Sequence, residues 1–128
     1  MEEQESGPKG IGVIGDVVID VADLERGGRF WSQILGVEIA FRHHQFWWLG
    51  KQHEGAPHLV LQRTDEEKTI KNRAHLDIRV ESLEPALARI EELGGSRLHE
   101  VVEPEYSLWV VADPDGNEFC LIPPRELS

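Results

Sequence analysis

The chain has 128 residues, of which 29% are charged and 40% are hydrophobic, values typical of one globular domain with its own core. Its net charge of −11 repels phosphate backbones, which argues against nucleic acid as a partner, and no apolar run reaches the length of a membrane span. The single cysteine, Cys120, excludes an internal disulfide and suits a reducing compartment. The first residues are acidic, unlike those of a signal peptide, so we expect a cytoplasmic protein that begins with a flexible tail over residues 1–10.

The first half of the chain predicts a strand, a helix and three further strands. β-Branched residues dominate Val13–Ala22 and indicate a strand. Asp23 is a favourable N-cap for a helix that begins at Leu24, and Gly36 can end this helix in the left-handed conformation. Shorter strands are then predicted over Val37–Phe41, Phe46–Leu49 and His58–Gln62.

The second half repeats this order of elements. A strand is predicted over His75–Val80, and Ser82 can cap a helix that ends at Gly94. A turn over Asp113–Asn117 has proline at its second position and glycine at its fourth, which favours a type I turn. The remaining strands are predicted over Arg97–Val102, Leu108–Ala112 and Glu118–Ile122.

The two halves are copies of one unit. Asp16 and His75 are 59 residues apart, as are Val21 and Val80. A period near half the chain length indicates two copies of one large unit, because a solenoid needs three or more short repeats. Each copy is a βαβββ module. We assign module one to residues 11–63, a connector to 64–71 and module two to 72–123, all within one domain over 11–128.

The sequence also resembles a known superfamily over residues 11–123. The likeness is carried by Val-Ala-Asp-Leu at 21–24, Phe-Trp and Leu-Gly within 30–36, and Ala-Asp-Pro-Asp-Gly-Asn at 112–117. These segments resemble the vicinal-oxygen-chelate superfamily, which includes glyoxalase I, bleomycin-resistance proteins and extradiol dioxygenases, and the stretch 68–77 resembles its bacterial glyoxalase-like branch. The repeat and the resemblance together predict an α+β fold, in which two βαβββ modules form a cupped, incompletely closed mixed sheet with helices outside. The fold hosts many activities, so the resemblance alone implies no single one.

Polar residues at equivalent strand positions predict a cleft between the two modules. Side chains alternate across a strand, so Asp16 and Asp20 share one face, as do His75, Asp77 and Arg79. The residues that alternate with these polar positions in both strands are purely aliphatic and are expected to face the helices. The predicted ligand-binding residues are Asp16, Asp20, Trp48, Gln62, His75, Asp77, Arg79, Glu118 and Cys120.

Several of these residues have an alternative structural interpretation. His75 is the first candidate for general acid–base catalysis, with Asp16 as the second, but the two also form a plausible structural pair across the cleft. Asp20 and Arg79 form another such pair. Trp47 and Trp48 are adjacent in one strand, so one of them points into the cleft and the other away from it, and the sequence leaves open which.

The resemblance implies four metal-ligand positions, which fall on Asp16, Gln62, His75 and Cys120. A glyoxalase I site would have glutamates at the positions of Gln62 and Cys120, and an extradiol dioxygenase would have two histidines and a carboxylate for iron. Neither set is present. We therefore expect no metal ligands and no cofactor, with zinc as the most plausible alternative.

Two functions from different classes follow from these residues. One is a metal-independent protein that binds a small, partly aromatic molecule between its modules. The other is a lyase- or isomerase-type enzyme that uses an unusual metal site or acid–base chemistry by His75 and Asp16. We also expect a homodimer, because a cupped sheet leaves strand edges that need cover. The sequence leaves open whether the cleft lies within one chain or between two.

Overall fold

Eight strands and two helices make up the part of the chain that the structure describes. This structure is a computed structural model, and it describes residues 14–66, 75–102, 104 and 107–123. The predicted tail, most of the connector and the first residues of each module (11–13 and 72–74) lie outside the described residues. Neither described helix is long and apolar enough to cross a membrane.

The first module forms a four-stranded sheet with one helix on it. Its elements are β1 (Asp16–Val21), α1 (Leu24–Leu35), β2 (Ile39–His43), β3 (Phe46–Leu49) and β4 (His58–Arg63). The strand order is β1-β4-β3-β2, with β1 parallel to β4 and the other pairs antiparallel. As predicted, the Asp23 side chain caps α1 by accepting from the Arg26 N–H at 3.0 Å, and Gly36 ends the helix with φ 69°.

The second module repeats this arrangement. Its elements are β5 (Leu76–Arg79), α2 (Leu83–Glu92), β6 (Ser96–Val102), β7 (Ser107–Ala112) and β8 (Glu118–Ile122). The strand order is β5-β8-β7-β6, with β5 parallel to β8. Ser82 occupies the N-cap position of α2 but makes no capping hydrogen bond with its side chain. The predicted α+β class with two βαβββ modules is confirmed, and the two sheets do not close into a barrel.

The helix-bearing sides of both modules share one core. Phe30 and Trp31 of α1 contact Phe119 of β8, with ring centroids 6.2 and 4.7 Å apart. The two helices also meet, since Arg89 Nη2 of α2 donates to Gln33 Oε1 of α1 at 3.0 Å. As the strand parity predicts, four aliphatic residues of the first strands pack against this core: Val17, Ile19, Leu76 and Ile78.

The other side of each sheet carries no described helix. We call these two surfaces the first and the second open face. Along β1, Asp16, Val18 and Asp20 are exposed while the residues between them are half-buried. Residues 75, 77 and 79 on the open side of β5 are exposed in the same way. The chain therefore presents its predicted polar strand residues to solvent and keeps their aliphatic neighbours under the helices.

Candidate functional site

The first open face combines acidic, amide and aromatic side chains in register. Gln62 of β4 lies beside Asp20 of β1 on one side and beside Phe46 of β3 on the other. In the next row Val60 lies beside Trp48. Because neighbouring strands are about 4.8 Å apart, a polar edge on β1 and an aromatic wall on β3 flank a narrow floor on β4.

The structure assigns the two tryptophans to opposite sides of the first sheet. Trp48 lies on the first open face, where its ring centroid is 5.5 Å from Phe41 and 5.9 Å from Phe46. Trp47 lies under α1, 3.1 Å from the position that a Cβ on Gly28 would occupy. Phe41 and Phe46 were absent from the predicted site, although the alternation of Phe46 with Trp48 was a usable signal. Trp48 is thus part of an exposed aromatic cluster.

Strand register separates two of the four positions that the resemblance relates to metal binding. Asp16 pairs with His58, whereas Gln62 pairs with Asp20. Asp16 and Gln62 therefore lie four residues apart along the sheet, about 13 Å. Zinc–ligand bonds are about 2 Å long, so these two side chains of one chain are too far apart to hold the same ion.

The second open face brings together three other side chains. His75 Nε2 lies 3.2 Å from Asp77 Oδ1, and both side chains are about half exposed. Asp77 pairs with the buried Cys120 of β8, and the nitrogen, oxygen and sulfur donors of the three residues lie within 4.8 Å of one another. This donor set suits zinc, and a histidine beside a carboxylate also suits proton transfer.

Neither of the two structural pairs suggested by the sequence forms among the described residues. His75 pairs with Asp77 on its own strand instead of with Asp16. Arg79 Nη1 donates to the carbonyl oxygen of Pro123 at 3.1 Å instead of contacting Asp20. Each side chain instead has a partner within its own module.

A cleft of about 710 Å³ lies between the modules. Three of the predicted site residues line it: Asp20 of β1, His75 before β5 and Glu118 of β8. The other six predicted site residues do not line it: Asp16, Trp48, Gln62, Asp77, Arg79 and Cys120. Lining residues outside the predicted set include Thr64, Asp65, Glu66 and Asp115. Val17, Ile19 and Leu76, which were expected to face the helices, pack against the core and also line the cleft.

The turn between β7 and β8 joins the two modules at this cleft. Asp113 is only 2% exposed, and its Oδ2 accepts from the indole Nε1 of Trp31 at 2.9 Å. Asn117 Nδ2 donates to the main-chain oxygen of Asp20 at 2.8 Å. Burial raises the pKa of the Asp113 carboxyl above its ordinary value, although hydrogen bonds from Asn117, Trp31 and Asp115 act in the opposite direction. The sequence predicted only the turn geometry of this segment.

Only one of the two carboxylate oxygens of Asp115, in the same turn, has hydrogen-bond partners among the described residues. Its Oδ1 accepts from the Ala22 N–H at 2.8 Å and from Arg26 Nη2 at 2.6 Å. The side chain is 9% exposed, and its Oδ2 has no hydrogen-bond partner among the described residues. A buried carboxylate oxygen without a donor is unfavourable, so this side of the cleft can gain from an incoming donor.

Comparison with known proteins gives the family. A family model described as a glyoxalase-like domain matches residues 16–122, while curated protein sequences gave no match. Among solved structures, the chain is similar to a glyoxalase-related enzyme from Fulvimarina pelagi, with 19% identity, a TM-score of 0.70 and 89% of each chain covered. It is also similar to the fosfomycin resistance protein FosX from Listeria monocytogenes, solved in complex with manganese(II) and 1S,2S-dihydroxypropylphosphonic acid.

For the Listeria protein, identity is 16%, the TM-score is 0.71, and the match covers 89% of this chain and 90% of that one. An integron cassette protein from the mobile metagenome of the Halifax Harbour sewage outfall is 26% identical, with a TM-score of 0.64, over 89% of this chain and all of that one. The family match spans the whole of both modules as the structure describes them. The chain therefore belongs to the glyoxalase-like domain family.

Proposed function

We propose that this chain is a small-molecule-binding protein whose ligand occupies the cleft between its modules. The observation that carries the proposal is the meeting of Asp20, His75 and Glu118, from three segments of two modules, around one cavity of about 710 Å³. That volume lies within the range of small-molecule sites. We expect the protein in the cytoplasm, because its single cysteine suits a reducing compartment.

We propose further that binding needs no metal. The 59-residue repeat relates Asp16 to His75, but the strand register keeps Asp16 about 13 Å from Gln62. An uncharged amide such as Gln62 is also a weak ligand compared with a carboxylate. Both features support a ligand site that works by direct contact with side chains.

Binding can be tested by a thermal-shift screen of chemically diverse small molecules in the presence of EDTA, with isothermal titration of the hits. Val18→Trp is expected to abolish binding, because Val18 lines the cleft and is 50% exposed. Val102→Trp is the matched control, since Val102 is 76% exposed and does not line the cleft. Saturable binding that survives Val18→Trp, or that requires an added metal, would contradict the proposal.

We also propose that the protein works as a homodimer. Apolar side chains are exposed on the first open face: Val18 is 50% and Phe41 is 57% exposed, and the strand register places both on the side of Trp48. Apolar surface of this kind is typical of association sites, and two-fold assemblies are the commonest way to cover it. A second copy on the first open face would also cover the aromatic cluster of Trp48, Phe41 and Phe46.

A second candidate function is an enzyme of lyase or isomerase type. The observation that favours it is the grouping of His75, Asp77 and Cys120 donors within 4.8 Å. These residues would hold a divalent metal such as zinc, whose chemistry would be to polarise a bound oxygen. Without metal, His75 would transfer a proton, with Asp77 holding its ring and Asp16 as a further candidate.

Metal analysis and one substitution separate the two candidates. Stoichiometric zinc, nickel or iron in protein purified without added metal favours the enzyme. With a compound from the screen, His75→Ala is expected to change affinity alone in a binding protein. In a metal-free acid–base enzyme the same change would lower turnover by roughly two to four orders of magnitude.

A further inference from the structure

We infer that the ligand of the cleft carries a positive charge, as in an amine. This inference rests on the proposed function and adds the chemical class of the ligand. The charges that line the cleft and one buried carboxylate support it.

The described lining of the cleft carries more negative than positive charge. Its carboxylates belong to Asp20, Asp65, Glu66, Asp115 and Glu118, and neither lysine nor arginine is among the described lining residues. Arg63 lies 3.0 Å from Asp65 and Arg26 lies 2.6 Å from Asp115, so the other three carboxylates remain without an ion pair among the described residues. The net charge of −11 adds a long-range field of the same sign. Such a site attracts cations and repels anions.

The Asp115 side chain is an independent sign of a missing donor. Its contact with Arg26 Nη2 at 2.6 Å engages Oδ1 only, and Oδ2 is left without a partner in the described residues. A side chain that is 9% exposed gains more from a charged hydrogen bond than one in water, because the local dielectric is lower. An ammonium group that reaches Oδ2 from the cleft would supply that bond while Oδ1 keeps its hydrogen bonds to Ala22 and Arg26.

Three indoles that differ mainly in charge test this inference. Tryptamine carries an ammonium group, tryptophol is neutral and indole-3-acetate is anionic. By isothermal titration at low salt, tryptamine is expected to bind about 10- to 100-fold more tightly than tryptophol, as one charge-assisted hydrogen bond allows, and indole-3-acetate is expected to bind most weakly. The advantage of tryptamine is expected to shrink as salt is raised.

Two substitutions connect that preference to the cleft. Asp20→Asn and Glu118→Gln are expected to lower tryptamine affinity and to leave tryptophol affinity unchanged. Glu54→Gln is the control, because Glu54 is an exposed acidic residue outside the cleft. Equal binding of tryptamine and tryptophol, or tighter binding of the anion, would overturn the inference while leaving the proposed function intact.

If none of the indoles binds, the charge of the compounds that bind in the thermal-shift screen tests the inference instead. Hits that are mostly cationic and that lose affinity in Glu118→Gln would support the inference. Hits that are neutral or anionic would overturn it. A screen without hits would overturn the proposed function itself.

Discussion

Asp113 is the residue on which the contact between the modules most clearly depends. Each of its carboxylate oxygens accepts two N–H donors: Oδ1 from the main chain of Asp115 and Asn117, and Oδ2 from Trp31 Nε1 and Asn117 Nδ2. All four partners donate, so only a group with two acceptor oxygens satisfies them. This explains why a buried acid, and not its amide, occupies the position.

Asp113→Asn is therefore expected to destabilise the protein. The new amide group would face two donors, and each buried donor left unpaired costs about 1–3 kcal/mol. Urea unfolding at neutral pH measures the loss. Asp65→Asn is a control, because Asp65 is 86% exposed. Equal stability of the Asp113 variant and the parent would show that the turn does not hold the modules together.

The raised pKa of Asp113 predicts a pH dependence of stability. Burial makes the folded protein bind this proton more tightly than the unfolded chain does. The stability that proton binding by Asp113 adds is thus fully present below the ordinary pKa of 3.8 and is lost as pH rises through the raised folded value, whereas the hydrogen bonds to the ionised carboxylate remain at neutral pH. The difference in stability between the parent and Asp113→Asn is expected to grow as pH falls from neutral toward 4. A difference that shrinks toward acid would contradict this.

At the scale of elements, the clearest constraint lies where α2 meets β7. A Cβ on Gly95 would lie 2.5 Å from the main-chain oxygen of Ala112, 2.8 Å from Ile90 Cγ2 and 3.1 Å from Phe30 Cε1. The main-chain atom cannot move away without breaking the β6–β7 pairing. The absence of a side chain at Gly95 thus allows the helix end, the sheet and α1 of the other module to meet.

Gly95→Ala is expected to lower the free energy of unfolding by about 3 kcal/mol, the upper part of the usual range for overpacking. Gly15→Ala is the matched control, because nothing lies within 4 Å of a Cβ at Gly15, and a surface change of this kind is usually within about 0.5 kcal/mol. Thermal or urea unfolding of both variants compares them. Similar losses in the two would argue against close packing at Gly95.

Most element boundaries follow the sequence pattern, and the exceptions have local causes. The second strand was predicted from Val37 but begins at Ile39. The N–H groups of Gly36 and Val37 both donate to the Ser32 oxygen, at 2.8 and 3.1 Å, so Val37 completes the end of α1. The hydrophobic pattern does not distinguish a residue that ends a helix from one that begins a strand.

For the whole molecule, the exposed apolar residues of the first open face predict association. Light scattering at micromolar concentration is expected to give twice the chain mass of 14.5 kDa. Phe41→Glu, at a side chain that is 57% exposed, is expected to shift the mass toward the monomer without loss of helix or strand signal. Ala88→Glu adds the same charge at an exposed position of α2 and is expected to leave the dimer unchanged. A monomeric parent protein would refute the prediction.

Sequence alone determined the two modules, the order of their elements and the side of the sheet on which Asp20, His75 and Glu118 lie. These properties are local or periodic, because strand alternation and helix capping depend on residues only a few positions apart. Tertiary structure decided which side chains are neighbours. The pairing of Gln62 with Asp20 instead of Asp16, the outward position of Trp48 and the contact of Asp113 with Trp31 all depend on register and module packing. Those arise from many weak contacts between residues distant in sequence, which no local pattern records.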